Sequence, residues 1–293
     1  MGTVTDFSTL AGRPTKITAR GFGWTHAGRP QPALADIDLV IEPGERVLLC
    51  GDSGSGKSTF LAAIAGVLGS DEEGTRVGEL LLEDSSGAVE EPGHSIPVGL
   101  VLQDPDSQVI SARVGDDIAF GCENLAYPRE EIWRRVAAAK DLVGPFVDID
   151  FPTERRSGGQ KQRLALAGVI AMGAGVVLLD EPTANLDPAG ASDVVRAVSA
   201  LVEETGATLV VVEHQHSAWE GVLDRAVELA HGRIVADGPF EQVAKRRRVE
   251  GLPQARELGD GAAGEGDAAL WSNDLVTRFG PPRTISLPAG AST

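Results

Sequence analysis

With 293 residues, the chain can form one large domain or two smaller ones around a sizeable core. Its residues are 42% hydrophobic and 24% charged, and its formal net charge of −17 gives no general electrostatic reason to bind nucleic acid or anionic lipid. The longest uncharged run, LALAGVIAMGAGVVLL at 164–179, is too short and too broken by glycine to span a bilayer.

The N-terminus lacks a basic-then-apolar leader pattern. Cys50 and Cys122 make neither a disulfide framework nor a metal site, so a reducing cytosol is the expected setting. Residues 15–50 read as antiparallel strands: ITARGFGW and ALADIDLVI alternate, and ERVLLC is continuously apolar. After the glycine-rich GDSGSGKS at 51–58, STFLAAIAGVL carries a helical apolar stripe that stops at Gly69. VGELLLED (77–84) predicts a strand, SSGAVEEPGHS a polar loop, and VGLVLQ (98–103) a further apolar run. REEIWRRVAAAKDLVG predicts a helix ending at Gly144.

SGGQKQR at 157–163 has the form of a helix start suited to an anion. Ser157 can cap the helix, Gly158 and Gly159 admit close approach, and Gln160 offers an amide. VVLLD (176–180) and TLVVVEH (208–214) are near-continuous β-branched runs, as parallel strands covered on both faces require. Between them Asp187 caps, and Pro188 opens, an amphipathic helix. RAVELAHGRIVADG predicts a hairpin turning at His231-Gly232. Alternating strands and helices indicate an α/β protein with a parallel sheet.

Beyond about residue 243 the composition shifts to Gly, Ala and Glu, and regular structure is not expected; KRRR at 245–248 reads as the solvated end of a helix or a linker. The segment ISL…AG near the C-terminus faintly echoes IDLVIEPG at 37–44, as the start of a second copy of the domain would.

GDSGSGKS matches G-x-x-x-x-G-K-[ST] between a strand and a helix. Gly51, Gly54 and Gly56 let backbone N–H groups converge on phosphate, Lys57 can reach the β- and γ-phosphates, and Ser58 can ligate Mg²⁺; Asp52, Ser53, Ser55 and Thr59 complete the ATP-binding stretch. At the end of VVLLDE, Asp180 is placed to hold Mg²⁺ and Glu181 to polarise the attacking water, although paired strand-end acids are by themselves ordinary surface residues more often than not.

In this order, GDSGSGKST, the glutamine of VLQDP, SGGQKQR, VVLLDEP, ANLD and the histidine of VVEHQ resemble the nucleotide-binding domain of ATP-binding cassette (ABC) proteins over roughly 15–240. The resemblance implies a P-loop NTPase core with a mainly parallel sheet, an N-terminal antiparallel β subdomain and an inserted α-helical subdomain. The cassette is expected at 14–242, followed by a flexible Gly/Ala/Glu-rich linker at 243–270 and a tail at 271–293, whose echo of 37–44 is either chance or the truncated start of a second cassette.

Such domains pair head to tail, so Ser157, Gly158, Gly159 and Gln160 would close on ATP held by a second cassette, in a homo- or heterodimer. Gln103 resembles the residue that senses Mg²⁺ and water, His214 the switch histidine at the γ-phosphate, and Asp187 the acid that communicates across the dimer. Trp24 falls where these domains stack a ring on adenine; a packed strand residue is its plainer reading. Two departures stand out: Arg156 replaces the usual leucine before SGGQ, and Gly175 a usual proline.

The stretch QDPDSQVISARVGDDIAFGCENLAYPREEI further resembles the ATPases of energy-coupling factor importers of vitamins, cobalt or nickel. That likeness implies a peripheral subunit at the cytoplasmic membrane face, with an integral coupling subunit and a substrate-binding membrane subunit as partners. Another ABC transporter class is the alternative. A non-transport ABC ATPase fits less well, because the acidic chain shows neither sustained heptads nor a basic surface.

Overall fold

In chain order the strands are β1 (Thr15–His26), β2 (Leu34–Ile41), β3 (Arg46–Cys50), β4 (Gly74–Asp84), β5 (Val89–Glu90), β6 (Val98–Val101), β7 (Val176–Asp180), β8 (Thr208–Val212), β9 (Arg225–Ala230) and β10 (Arg233–Pro239). The helices are α1 (Lys57–Ile64), α2 (Val114–Asn124), α3 (Arg129–Val143), α4 (Gly158–Met172), α5 (Pro188–Thr205) and α6 (Phe240–Glu250). These come from a computed structural model that describes residues 10, 12–69, 73–144, 148–214 and 216–250. By packing, the chain divides into units 1–251 and 252–293. The second unit, with the C-terminal echo and most of the expected linker, lies outside the described residues.

Two sheets organise the first unit. One has the order β2-β1-β4-β5 and is antiparallel; the other has the order β10-β9-β3-β8-β7-β6. In the second sheet β9-β3-β8-β7-β6 are parallel, and β10 closes the edge as an antiparallel hairpin with β9. The hairpin turns where expected, with His231 at φ 50° and Gly232 at φ 74°.

Strand periodicity explains the two cores. Along β3, Val47 and Leu49 face the antiparallel sheet and α1, whereas Leu48 and Cys50 face the helices on the other side. Val176/Leu178 against Val177/Leu179 in β7, and Val210/Val212 against Leu209/Val211 in β8, divide in the same way. Hence these strands are apolar throughout. From α1, Phe60, Leu61 and Ile64 fill the space between the sheets, each at most 1% exposed and contributing about 1.5–3 kcal/mol of burial.

The structure corrects three expectations. β3 pairs parallel with β8 and β9 in the second sheet, rather than antiparallel with β2. Pro43-Gly44 carries the chain from one sheet to the other, and a short apolar run bears no mark of which strands will flank it. α1 stops at Ile64, and Gly66 at φ 71° ends it before Gly69. Regular structure continues past 243, because α6 extends through Glu250 with Phe240, Val243 and Ala244 buried. Its FEQVAKRRRVE is built of helix formers, and the shift toward glycine begins only after it.

Candidate functional site

The phosphate loop connects the carboxyl end of β3 to the first turn of α1, the place where parallel sheets of this kind receive ligands. Gly51 sits at φ 146°, and a Cβ there would lie 2.2 Å from the Leu229 carbonyl oxygen, so no other residue fits. Gly56 caps α1 at φ 105° without a side-chain acceptor for the first-turn N–H groups. Asp52, Ser53 and Gly54 are exposed, Ser55 and Lys57 are buried, and Thr59 is half-buried. Lys57 Nζ donates to the carbonyls of Gly51 (2.9 Å) and Asp52 (2.8 Å), which holds the ammonium inside the loop. Ser55 Oγ is buried with no hydrogen-bond partner among the described residues, an unsatisfied hydroxyl of the kind a phosphate oxygen would complete.

The neighbouring strand ends bring in the acids. Asp180 closes β7 and its carboxylate accepts a hydrogen bond from Ser58; burial, the largest influence, raises the Asp180 carboxyl above its ordinary range. The Ser58 bond opposes that rise, the Glu181 charge adds to it, and Lys57 and His214 act against it. A serine hydroxyl and a carboxylate are hard oxygen ligands suited to Mg²⁺. Among the described residues no group of three or more His, Cys, Asp or Glu could hold a metal.

Glu181 follows at φ 48°, a left-handed conformation costly for a non-glycine residue and typical of positions fixed for function. Its backbone N–H donates to Val212 O of β8 (2.9 Å), which places it beside the residues that follow β8. Gln103 Nε2 donates to Glu181 Oε2 at 3.0 Å, and His214 Nε2 lies 3.0 Å from Glu181 Oε1. Gln103, Glu181 and His214, far apart in the chain, therefore meet at one carboxylate. Ser58, Lys57 and Asp180 lie alongside it.

The second anion-suited segment is elsewhere. Ser157 caps α4 in a capping box: Ser157 Oγ accepts from Gln160 N–H (3.4 Å), and Gln160 Oε1 accepts from Ser157 N–H (3.1 Å). Ser157 and Gly158 are exposed, and Gly159 and Gln160 are half-buried; a Cβ on Gly159 would meet Leu186 and Gly190, so the segment abuts the start of α5. There Asp187 Oδ1 accepts from Gly190 N–H (2.9 Å) and caps the helix as expected. Among the described residues no hydrogen bond or ion pair joins 157–160 to the phosphate loop. Arg156 stacks over the Phe151 ring at 4.2 Å, so the residue that departs from leucine still anchors the loop by packing.

Trp24 is packed in this structure, as the plainer of its two readings has it. Its side chain is only 4% exposed, packs in the inter-sheet core, and lines a cleft with Ala63, Gly66 and Leu68 at the far end of α1 from the phosphate loop. The bulged register of β1 against β2 and β4 turns the indole inward, with its Nε1 donating to His26 Nδ1 at 3.2 Å.

Other polar contacts were not expected from the sequence. Gln162 Nε2 donates to Leu102 O (3.2 Å), Gln108 Nε2 donates to the same oxygen (3.1 Å), and Lys161 pairs with Asp106. They tie α4 to the loop carrying Gln103. Only the repeated glutamines around SGGQKQR and QDPDSQ hinted at them. Glu213 and Thr183 carried no signal beyond their nearness in sequence to His214 and Glu181.

A strand–glycine loop–helix unit facing a strand-end acid pair defines a phosphate-loop nucleotide-binding domain. The family model described as ABC transporter matches residues 34–184. The chain is 38% identical over 242 residues to the energy-coupling factor transporter ATP-binding protein EcfA1 of Caldanaerobacter subterraneus subsp. tengcongensis, covering 80% of this chain and 85% of that one. It is 37% identical over 291 residues to a provisionally named ABC transporter ATP-binding protein of Methanosarcina acetivorans, covering 94% of this chain and 45% of that one. CbiO1 of Clostridium perfringens, part of the cbiONQ complex, superposes with TM-score 0.67 at 29% identity over 80% of this chain and 92% of its own. The chain belongs to the ABC transporter ATP-binding family, and within it resembles the ATPases of energy-coupling factor importers. It spans less than half the length of several curated relatives it matches, for example 41% and 45%.

Proposed function

We propose that this chain hydrolyses ATP as one of a pair of cassettes and powers uptake of a vitamin or transition-metal ion through a membrane partner of the energy-coupling factor type. The observation that carries the reading is the Glu181 carboxylate, clasped at 3.0 Å by Gln103 and at 3.0 Å by His214 beside the Ser58–Asp180 pair.

The phosphate loop and Lys57 bind the triphosphate through backbone N–H groups and the ammonium. Ser58, Asp180 and Gln103 would hold Mg²⁺, which when bound neutralises developing phosphate charge. Glu181 takes a proton from water as the water oxygen bonds to the γ-phosphorus and the bond to the bridging oxygen of ADP breaks. Gln103 orients that water through its amide, and His214 holds the Glu181 carboxylate in place. Ser157, Gly158, Gly159 and Gln160 close on the triphosphate of the second cassette, with the hydroxyl hydrogen of Ser157 still free to donate. Asp187, at the helix start against which this segment packs, is placed to carry closure from one cassette to the other.

A groove of about 340 Å³ between β6, α2 and α4 is lined by Leu100, Leu102, Ile110, Phe120, Leu164 and Met172. Leu102 is 40%, Ile110 61% and Phe120 37% exposed, an unusual concentration of apolar surface that suits helices of a membrane coupling subunit. Leu102 adjoins Gln103, so docking there bears directly on the catalytic carboxylate. No helix among the described residues is long and apolar enough to cross a membrane. By its likeness to energy-coupling factor ATPases, the reading places the chain peripherally, on the cytoplasmic face, with a separate membrane subunit choosing the solute.

The test is ATP turnover. Glu181→Gln should bind ATP as the parent does and lose about 100-fold or more of its turnover. Unchanged turnover contradicts the assigned base. Purification from membranes with the integral subunits attached identifies the transport partner, and its absence from the pull-down contradicts the importer assignment.

A further inference from the structure

β7 and β8 run parallel with Asp180 opposite Val212, so the loops that leave them travel side by side. The first carries Glu181 and then Thr183; the second carries Glu213 and then His214. Glu213 is an unexpected residue for this place. It is only 3% exposed, and burying a carboxylate is costly unless both oxygens are satisfied.

Both are satisfied, and the partners lie on different loops. Thr183, 8% exposed, donates its hydroxyl to Glu213 Oε2 at 2.5 Å. The backbone N–H of His214 donates to Glu213 Oε1 at 2.8 Å. A short, charge-assisted bond of this kind is about twice as strong as a neutral one. One buried carboxylate thus bridges the loop of the base to the loop of the switch histidine. Above the bridge, His214 Nε2 stands 3.0 Å from Glu181 Oε1. The tie also bears on Glu181 itself, since its φ of 48° persists only where the surrounding loop is held.

We propose that Glu213, fastened by Thr183, is a positioning residue for ATP hydrolysis: it fixes the His214 backbone so that the imidazole meets Glu181. The proposal rests on the ATPase reading above for its kinetic arm. Its structural arm does not.

The experiment uses the full chain with Thr183→Val, which keeps the volume and removes the hydroxyl, Thr183→Ser, which restores the donor, and Glu213→Gln. Thr183→Val and Glu213→Gln should lower kcat about 10- to 100-fold, the range seen for outer partners that orient a site's ligands, with KM for ATP unchanged. Thr183→Ser should keep most of the activity. In a His214→Ala background, Glu213→Gln should cost nothing more, because the group through which it acts is gone. Losses that multiply in the double variant overturn the proposal, as does full activity in Thr183→Val.

Histidine-selective NMR without nucleotide reads the same bridge independently of turnover. The chain has five histidines, and His214→Ala assigns the relevant ring signal by its disappearance. That signal should move in Thr183→Val and return in Thr183→Ser while the other four stay in place. A His214 signal unmoved by Thr183→Val overturns the proposal even if the parent shows no ATPase activity, and that lack of activity would overturn the ATPase reading alone.

Discussion

Ser157 carries two separable duties, and replacing it with aspartate or alanine pulls them apart. In the structure its hydroxyl caps α4 with a long bond of 3.4 Å from the Gln160 N–H. Losing that cap in Ser157→Ala should cost about 0.5–1 kcal/mol, the low end for such caps, and lower Tm by about 1–2 °C for a unit of this size. Aspartate caps as well as serine and adds negative charge at a helix N-terminus, so Ser157→Asp should melt at or slightly above the parent. Its effect on closure is the opposite. A carboxylate about 4 Å from a unit of phosphate charge costs about 4 kcal/mol at an effective dielectric constant of 20, roughly a thousandfold in association. Both variants are to be made in the Glu181→Gln background, with melting followed by circular dichroism and ATP-dependent association of two copies by sedimentation. The parent should dimerise with ATP and Ser157→Asp should not. Undiminished dimerisation of Ser157→Asp, or a melting point as low as that of Ser157→Ala, refutes the reasoning.

Three further outcomes follow from the geometry. Burial raises the Asp180 carboxyl, so the folded state holds that proton more tightly than the unfolded chain, and its contribution to stability falls as pH rises above the ordinary value of 3.8. Without Mg²⁺, Asp180→Asn should therefore gain stability relative to the parent as pH is raised through that window; parallel melting curves contradict this. Burial pushes the Cys122 thiol up to about 11, and Cys50 is equally buried, so iodoacetamide at pH 8 should label neither until the protein unfolds. Mass spectrometry of the native and denatured protein checks it, and rapid native labelling of Cys122 would refute the packing of α2. Phe120→Glu, at a side chain 37% exposed on the groove rim, should leave melting within about 0.5 kcal/mol of the parent yet abolish co-purification with the membrane subunit. Retained co-purification places the docking surface elsewhere.

Much of the site was legible because its signals are local. GDSGSGKS needs only its own glycines and lysine, and both the Ser157 and Asp187 caps are set by residues within three positions of the helix they start. What stayed hidden depends on distant pairing. Nothing in RVLLC distinguishes a strand that joins β2 from one inserted between β8 and β9. Trp24 could face either way, and bulges in β1 decided its direction. Glu213 looks like an ordinary polar residue after a strand until Thr183, thirty positions earlier, is seen to donate to it.

The account turns on ATP being shared between two cassettes, and a structure of Glu181→Gln saturated with Mg-ATP tests it most directly. The predicted result is Ser157, Gly159 and Gln160 within hydrogen-bond distance of a triphosphate whose Lys57 belongs to the other cassette. A saturated complex in which these residues face bulk water, or contact only their own fold, contradicts it.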